Sequence, residues 1–505
     1  MLKKVKKITF FLAIILLFIS AVLVVSSRYI SENFGKGIVN QIIYYMFTNF
    51  NKGSNAVIFE GIRKSYLFVL FIYFILIIPI TDFFKTRNTL EIYIFKVKVK
   101  LDIYPVKIVR RHYLLYSIII FFLAGTYSYY TSGISNYLRS LSEKTRLYEN
   151  YYVDPSKVKL TFPKYKQNLV IIFLESMENS MLSKDNGGIF QESVIPGLER
   201  IAKDNINFSN SNKIGGALED WGSACTVCGM VAQTAGIPAP NNIVNIGFSQ
   251  NKPTYLPGAF TLGDILKKED YNLEIMFGSD ASFGDRDKYF KTHGNYFIYD
   301  YNKAKEKNKI AKDYNVFWGF EDNKLFEYAK EEITNLAAKS KPFNLILLTV
   351  DTHDSGYLDT SCKNNKDYSL KNIISCSSDK TSDFIDWMSM QDFYKNTTIV
   401  IVGDHLIRQT NLFPNTDFNN YTRTIFNTII NANTESTNYN NRVFSSYDMY
   451  PTILSSIGVK IEGEKLGLGT NLFSNENTII EKIGYDKFKQ EIVKSSDYFN
   501  NIITH

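Results

Sequence analysis

The sequence predicts an α/β domain built around a largely parallel central sheet and preceded by a helical transmembrane region. Two observations carry this prediction: long apolar runs lie in the first 132 residues, and short apolar runs alternate with amphipathic stretches from about residue 166. The chain of 505 residues is also too long for one compact core. We therefore expect a transmembrane region over residues 1–132, a linker helix and tether over 133–165, and an extracytoplasmic domain over 166–505.

Three apolar runs are long enough to cross a bilayer. They cover residues 8–27, 66–84 and 113–131, and Pro79 is expected to kink the second. The first run could be taken for a cleaved signal peptide, but it is longer than a typical signal core, lacks an A-x-A cleavage site and precedes two further runs. We therefore interpret it as a membrane span, and the shorter run 38–50 as interfacial or packed against the other helices.

Lysine and arginine residues set the expected orientation. The N-terminal MLKKVKK and the loop 85–112 are basic, which places both in the cytoplasm. Three spans then put everything after about residue 132 outside the cytoplasm. The two basic segments also account for part of the net charge of +7, and the large domain carries no basic stripe, so we expect no nucleic-acid partner.

The four cysteines all lie in the predicted external part, where disulfides persist. Cys362 and Cys376 lie in one polar segment, and we expect a disulfide between them that staples this loop; two unrelated thiols are the alternative. Cys225 and Cys228 form a C-x-x-C, but their flanks lack the aromatic and proline context of a redox motif. A local disulfide and two inert, packed thiols remain open for this pair.

Five short apolar runs predict the strands of the sheet. They cover residues 168–175, 272–280, 343–353, 397–405 and 423–432. Helical patterns such as IPGLERIAKD and NKLFEYAKEEITNLAAK lie between them. Alternating strands and helices favour a parallel sheet with helices on both faces.

Three of these runs end in potential metal ligands. The first ends at Glu175, the third at Asp351 and His353, and the fourth at Asp404 and His405. The carboxyl ends of parallel strands meet at one edge of the sheet. A single strand-end carboxylate often caps a helix. Three such strands, with two of the chain's five histidines among them, favour a metal site instead.

The stretch LEDWGSACTVCGMVAQTAGIP, residues 218–238, supplies a candidate nucleophile. Thr226 stands at the start of a predicted helix, where backbone N–H groups and the helix dipole favour a phosphate. A divalent cation nearby makes a threonine hydroxyl easier to deprotonate. A plain helix cap at Thr226 and a nucleophilic Ser223 are the alternatives. We hypothesise that four residues converge on one ion: Glu175, Thr226, Asp404 and His405.

Six motifs together resemble a known family. They are NLVIIFLESMENSM, CTVCGMVAQTAGIP, GSDASFGDRDKYFKTHG, LLTVDTH, IVIVGDHL and SSYDMYPTILSSIGV. The family is the membrane-anchored phosphoglycerol transferases, which include lipoteichoic acid synthase and the enzyme that decorates periplasmic glucans, within the alkaline phosphatase and sulfatase superfamily. The resemblance covers roughly residues 166–475 and the layout of membrane spans, and it is strongest to the glucan branch.

The resemblance implies an alkaline phosphatase/sulfatase-like sandwich in a multi-pass protein of the bacterial inner membrane, with its catalytic domain facing the periplasm or the outside. It implies that Glu175, Asp404 and His405 bind a divalent metal, Mn²⁺ before Mg²⁺ or Zn²⁺. Thr226 would be the nucleophile and a further metal ligand.

The resemblance also implies the substrates. Arg286 and His353 would contact a phosphoglycerol head group, and Asp351 would be either a supporting carboxylate or a helix cap. Phosphoglycerol would pass from phosphatidylglycerol, through a phospho-threonine intermediate, to a glycan or another acceptor of the cell envelope.

Three other functions remain as alternatives. A phosphoethanolamine transferase acting on lipid A or a surface glycan would use the same metal and threonine. A sulfatase or phosphodiesterase-type hydrolase is disfavoured, because CTVCG lacks the C-x-P-x-R context in which formylglycine forms. The third is a catalytically silent assembly protein. The LEDW before Thr226 does not match the family pattern and is a candidate for acceptor or head-group choice.

Overall fold

The computed structural model describes residues 2–34, 54–81, 89–94, 97–102, 106–135, 138, 142–239, 253–353, 355–363, 366–409, 412–413, 420–435 and 439–504. The chain divides into two compact units. One holds the described residues between 2 and 135, and the other holds those from 138 onward.

The smaller unit consists of helices and one hairpin. Its elements are α1 (Leu2–Phe34), α2 (Ser54–Ile77), β1 (Thr89–Ile94), β2 (Val97–Asp102), α3 (Val106–Arg111) and α4 (Tyr113–Thr131). The strands β1 and β2 pair antiparallel within the predicted basic loop.

Three helical segments of this unit are long and apolar enough to cross a membrane: Val5–Ser31, Gly61–Ile80 and Tyr113–Thr131. Pro79 does not kink a continuous helix; α2 ends at Ile77, and Pro79 lies in the 3₁₀ turn Ile78–Ile80 that follows. Proline lacks the N–H that the next helical turn would need. The predicted interfacial run 38–50 and residues 82–84 of the second predicted span lie outside the described residues.

The larger unit contains the remaining elements. Its helices are α5 (Leu147–Tyr151), α6 (Pro196–Asp204), α7 (Thr226–Ala235), α8 (Leu262–Lys268), α9 (Arg286–Thr292), α10 (Tyr301–Glu306), α11 (Asp322–Ala337), α12 (Leu370–Ser389), α13 (Met449–Ser456), α14 (Ile479–Ile483) and α15 (Tyr485–Ile492). Its strands are β3 (Leu160–Thr161), β4 (Asn168–Leu174), β5 (Asn272–Phe277), β6 (Phe297–Tyr299), β7 (Phe343–Leu348), β8 (Thr397–Gly403), β9 (Asn427–Ile430), β10 (Lys460–Ile461), β11 (Lys465–Leu466) and β12 (Gly469–Thr470).

Six strands form the central sheet in the order β6-β5-β7-β4-β8-β9. All neighbours pair parallel except β9, which runs antiparallel to β8. Each of the five predicted runs contains one of these strands, and β6 is the additional one. The central strands β4, β7 and β8 are buried along their whole length, which explains their largely apolar sequence.

Successive side chains of β4 pack into two separate cores, one on each face of the sheet. Ile171 and Phe173 join the core that includes residues of α7, α8 and α13. Ile172 and Leu174 join the core that includes residues of α6, α11 and α12. The larger unit is therefore a sheet between two helical layers, and the predicted α/β fold class is confirmed.

The segment predicted as a linker and tether is partly folded onto the larger unit. Leu147 and Tyr148 of α5 are buried in the first core because they are large and apolar. Further along, β3 pairs antiparallel with β10.

The polar segment around Cys362 and Cys376 also differs from a simple loop, since Cys376 lies in α12 and the disulfide joins that helix to the preceding loop.

The buried carboxyl group of Glu274 on β5 is expected to make the free energy of unfolding depend on pH. Its side chain is 5% exposed, and burial, together with the Glu332 carboxylate, raises the pKa of Glu274 from 4.5 to about 7. Because the folded state binds this proton more tightly than the unfolded state, the group lowers the free energy of unfolding as pH rises through 4.5 to 7.

We expect Glu274→Gln to increase the free energy of unfolding at pH 8 by about 3 kcal/mol and to leave it nearly unchanged at pH 4. Thermal unfolding of the full chain in detergent at both pH values measures the difference. An equal gain at both pH values would contradict the assignment, because the effect then could not come from ionisation of this carboxyl group.

Candidate metal and nucleophile site

The carboxyl ends of β4 and β8 bring three potential ligands together. Glu175 follows β4, and Asp404 and His405 follow β8, its parallel neighbour. One ligand atom from each residue lies within 4.8 Å of the others, and all three side chains are buried. Two carboxylates and an imidazole are a ligand set that suits a divalent cation such as Mn²⁺ or Zn²⁺.

Backbone hydrogen bonds fix the orientation of Asp404. Its Oδ1 accepts from the N–H groups of Ser176 (2.8 Å) and His405 (2.7 Å). Its Oδ2 is buried and has no hydrogen-bond donor among the described residues. A buried carboxylate oxygen without a donor is costly, so this atom fits a cation ligand.

The ring of His405 is oriented by its own loop. Its Nδ1 lies 2.9 Å from the carbonyl oxygen of Leu406, which assigns the ring proton of the neutral form to Nδ1. Its Nε2 then faces Glu175 Oε1 at 3.3 Å and Asp404 Oδ2 at 3.6 Å. Neutral imidazole presents a lone pair at Nε2, as a metal ligand requires.

Thr226 is the first residue of α7, and its Oγ1 donates to Glu175 Oε2 at 3.1 Å. Gly229 allows this helix to approach the ligand loop, since a Cβ at Gly229 would lie 2.0 Å from the carbonyl oxygen of Asp404. Cys225 caps the helix by accepting from the N–H of Cys228, and the two cysteines are joined by a disulfide. The structure thus brings the hydroxyl of Thr226 to the carboxylate that lies beside Asp404 and His405.

The electrostatics of the cluster favour a bound cation. Burial opposes ionisation of Glu175, but the imidazoles of His353 and His405 outweigh it and lower the pKa of Glu175. Burial and the Glu175 carboxylate raise the pKa of Asp404 to about 8. Although burial opposes it, Asp404 and Glu175 raise the pKa of His405 to about 9. A divalent cation would neutralise both carboxylates and take the place of the proton on His405.

The hydroxyl of Ser223, the alternative nucleophile, bonds to Asp220, whereas that of Thr226 bonds to Glu175. It is fully buried and donates to Asp220 Oδ2 at 3.1 Å. The Asp220 carboxylate also accepts from the N–H of Gly222 (2.7 Å) and from the hydroxyl of Tyr447 (2.7 Å). Asp220 of the LEDW stretch therefore stabilises the turn that leads to α7.

Glu219 of the same stretch has a partner that sequence reasoning missed. Its carboxylate accepts hydrogen bonds from both terminal nitrogens of Arg408 at 2.9 Å and from the N–H of Leu406 at 2.8 Å. Arg408 also donates to the carbonyl oxygen of Ala224 at 2.6 Å. This pair clamps the loop after His405 to the segment before Thr226. The only sequence signal was an acidic residue close to one motif and a basic residue close to another.

The two predicted head-group residues follow the neighbouring strands β5 and β7: Arg286 is the first residue of α9, and His353 lies on the loop after β7. Arg286 is 3% exposed and donates to the carbonyl oxygens of Phe283 (2.9 Å) and Asp280 (2.7 Å). A Cβ at Gly284 would lie 3.5 Å from Val227, so this loop reaches the start of α7. His353 is partly exposed, and its charge acts on Glu175.

Asp351 has two structural roles rather than a ligand position. Its Oδ1 accepts from the N–H of Asp322, the first residue of α11, and its Oδ2 binds Lys380 Nζ at 2.8 Å. The Asp322 carboxylate in turn accepts from the N–H of Val350 at 2.7 Å. This buried network fixes the start of the loop that carries His353.

A family model described as Sulfatase matches residues 167–459. This range includes the whole ligand cluster and more than half of the chain. The chain belongs to the sulfatase family, which confirms the sulfatase superfamily expected from the motifs.

Among curated proteins, phosphoglycerol transferase I of Citrobacter koseri is 31% identical over 268 residues, and that of an Escherichia coli strain is 32% identical over 266 residues. Each alignment covers 51% of this chain but only 32% of the relative. The chain thus matches about one third of the length of these proteins.

Among solved structures, an alkaline phosphatase superfamily protein of Vibrio parahaemolyticus is 23% identical, with a TM-score of 0.46 over 64% of this chain and 74% of the other. The lipoteichoic acid synthase LtaP of Listeria monocytogenes is 17% identical, with a TM-score of 0.47 over 65% and 81% of the two chains.

Proposed function

We propose that this protein is a metal-dependent phosphoglycerol transferase that moves phosphoglycerol from phosphatidylglycerol to a glycan or another acceptor of the cell envelope. The observation that carries the proposal is the contact of the Thr226 hydroxyl, at the start of α7, with Glu175 of the buried ligand cluster. The similarity to proteins named phosphoglycerol transferase I supports the choice of the transferred group.

The proposed reaction has two steps. Thr226 Oγ1 attacks the phosphorus of the lipid, the bond between phosphorus and the diacylglycerol oxygen breaks, and the threonine proton ends on the diacylglycerol hydroxyl. The acceptor hydroxyl then attacks phosphorus, the bond to Thr226 Oγ1 breaks, and the acceptor proton ends on Thr226. Two displacements of this kind transfer the group without a free phosphoglycerol.

Glu175, Asp404, His405 and Thr226 would hold the cation, for which Mn²⁺ is our first choice and Mg²⁺ or Zn²⁺ the alternatives. When bound, a divalent cation stabilises negative charge on phosphoryl oxygens and favours the deprotonated hydroxyl. The N-terminus of α7 adds positive potential at the same place. His353 and Arg286 are the residues we assign to the phosphoglycerol head group.

The apolar helices fit a lipid donor. We propose that Val5–Ser31, Gly61–Ile80 and Tyr113–Thr131 cross the bacterial inner membrane and that the catalytic unit faces the periplasm or the outside. Anchoring then ties the catalytic unit to the membrane that contains phosphatidylglycerol. The sulfatase reaction is not proposed, because the residues after Cys225 lack the proline and arginine of the formylglycine motif.

The direct test uses the full chain in detergent micelles with Mn²⁺ and either labelled phosphatidylglycerol or labelled phosphatidylethanolamine. We expect diacylglycerol release from phosphatidylglycerol. Release from phosphatidylethanolamine alone would exclude the phosphoglycerol assignment and favour a phosphoethanolamine transferase.

Glu219 allows a test of how the ligand cluster is positioned. Replacing it with glutamine removes the charge that holds Arg408, so the loop that orients His405 loses its clamp. We expect Glu219→Gln to lower the apparent affinity for Mn²⁺ about 10- to 100-fold, as changes in the partners of metal ligands do.

The matched control is Asp386→Asn, which breaks an exposed ion pair with Arg200. It should leave the Mn²⁺ dependence of diacylglycerol release unchanged, because exposed pairs contribute little. Equal Mn²⁺ affinity of the Glu219 variant and the wild type would refute the clamp.

A further inference from the structure

Four aromatic side chains lie together beside His353 and have no part in the proposed chemistry. We call this group the aromatic wall; its members are Phe283, Phe317, Trp318 and Tyr357, and all four are partly exposed. The Trp318 ring lies 4.6 Å from the His353 ring and 5.0 Å from the Phe283 ring, measured between centroids. The Phe317 ring lies 6.2 Å from Trp318 and 6.3 Å from Tyr357.

The wall is assembled from loops at the same edge of the sheet as the ligand cluster. Phe283 follows β5, Tyr357 follows β7, and Phe317 and Trp318 precede α11. The loop before α11 is fixed to the loop after β5 by the N–H of Phe320, which donates to the carbonyl oxygen of Gly278 at 2.9 Å. Gly319 permits this approach, since a Cβ there would lie 2.1 Å from that oxygen.

Phe317 adopts an unfavourable backbone conformation to reach its place. Its φ is 55°, in the left-handed region that bulky residues rarely occupy. Such a conformation is unfavourable and persists where the surrounding structure enforces it, commonly at binding and active sites. In this conformation the ring of Phe317 stays partly exposed and lies between Trp318 and Tyr357.

The chemistry of the wall differs from that of the ligand cluster. Its four members carry no charge, so they do not compensate an anionic phosphate, which the cation, His353 and the start of α7 would hold. Flat, partly exposed aromatic faces bind the C–H faces of a pyranose ring, whose hydroxyl groups stay at the rim for polar contacts. The wall therefore fits a neutral sugar better than the charged part of the donor.

We propose that the aromatic wall is the acceptor subsite and binds a sugar ring of a glycan beside His353. This inference rests on the proposed function, because it assigns the acceptor of the second step to a place next to the threonine ester. Trp318 is the central member, since it contacts Phe283, Phe317 and His353.

The test separates donor cleavage from transfer in the full chain. Diacylglycerol release from phosphatidylglycerol is measured without acceptor, as the single turnover that loads Thr226, and transfer is measured with a β-linked glucose trisaccharide as the probe. We expect Trp318→Ala to raise the KM for the trisaccharide about 10-fold, the effect of losing one aromatic contact, and to leave release without acceptor within about two-fold. Trp318→Phe should recover most of the loss.

Tyr357→Ala is the second variant, because its ring packs on Phe317 and is linked to His353 only through Phe317 and Trp318. It should raise the same KM in the same direction. Trp387→Ala, a partly exposed tryptophan on α12 that packs on Phe384, is the matched control and should change neither measurement.

A change in the KM for phosphatidylglycerol, with the KM for the trisaccharide unchanged, would overturn the proposal and assign the wall to the donor. An unchanged KM for both substrates in both wall variants would also overturn it. If the wild type releases no diacylglycerol from phosphatidylglycerol, the proposed function fails independently. Equilibrium binding of the trisaccharide to the wild type and to Trp318→Ala requires no turnover and then tests whether the aromatic wall binds a sugar. Weaker binding by the variant supports the proposal, and equal binding overturns it.

Discussion

Replacing Thr226 with alanine is expected to lower diacylglycerol release from phosphatidylglycerol by at least about 1,000-fold, because both steps of the proposed reaction form or break a bond to its Oγ1. Thr226→Ser keeps a hydroxyl at the same place and should retain measurable activity. The measurement is release of labelled diacylglycerol by the full chain at saturating Mn²⁺.

Ser223→Ala is the control for this prediction. It removes the rival hydroxyl three residues away, whose bonds go to Asp220, and it should keep activity within a few-fold of the wild type. If Ser223→Ala were inactive and Thr226→Ala active, the nucleophile would be Ser223 and not Thr226.

Removing the cation is expected to have an effect of similar size. Chelation should abolish diacylglycerol release and Mn²⁺ should restore it, because the cation that Glu175 and Asp404 would hold stabilises charge on the phosphoryl oxygens and favours the deprotonated threonine hydroxyl. Asp404→Asn replaces one of them with an amide that binds a cation poorly, and we expect at least a 100-fold loss, about what the loss of a ligand contact costs.

Asp497→Asn is the matched control for Asp404→Asn, since it makes the same chemical change in an exposed ion pair with Lys144. Its activity and its Mn²⁺ dependence should equal those of the wild type. Full activity of the wild type after exhaustive chelation would show that the cluster needs no cation.

The strands and the ligand edge could be predicted because their signals are local. Runs such as NLVIIFL and TTIVIVG are mostly apolar, and β4 and β8 are buried on both faces. Parallel pairing then forces Glu175 and Asp404 to the same edge without any knowledge of the loops.

Elements with weak local signals were missed. The strand β6 is only three residues long, and α12 begins inside a serine- and asparagine-rich segment that resembles a loop. Its helix is stabilised by tertiary packing, since Ile373, Ile374 and Phe384 are buried on one side. Propensity alone does not reveal such a helix.

Contacts between distant loops could not be predicted from one sequence. Glu219 and Arg408 are 189 residues apart, and only the folded sheet brings the segment before α7 to the loop after β8. The same holds for Trp318 and His353, whose loops precede α11 and follow β7. The LEDW stretch was therefore visible as an anomaly, but its partners were not.

The most direct measurement is mass spectrometry of the full chain after incubation with phosphatidylglycerol and Mn²⁺ in the absence of an acceptor. We predict that the peptide containing Thr226 gains the mass of one glycerophosphoryl group and that fragmentation places it on Thr226. Addition of a glycan acceptor should remove the adduct. Diacylglycerol release without any adduct, or with the adduct on Ser223, would contradict the account.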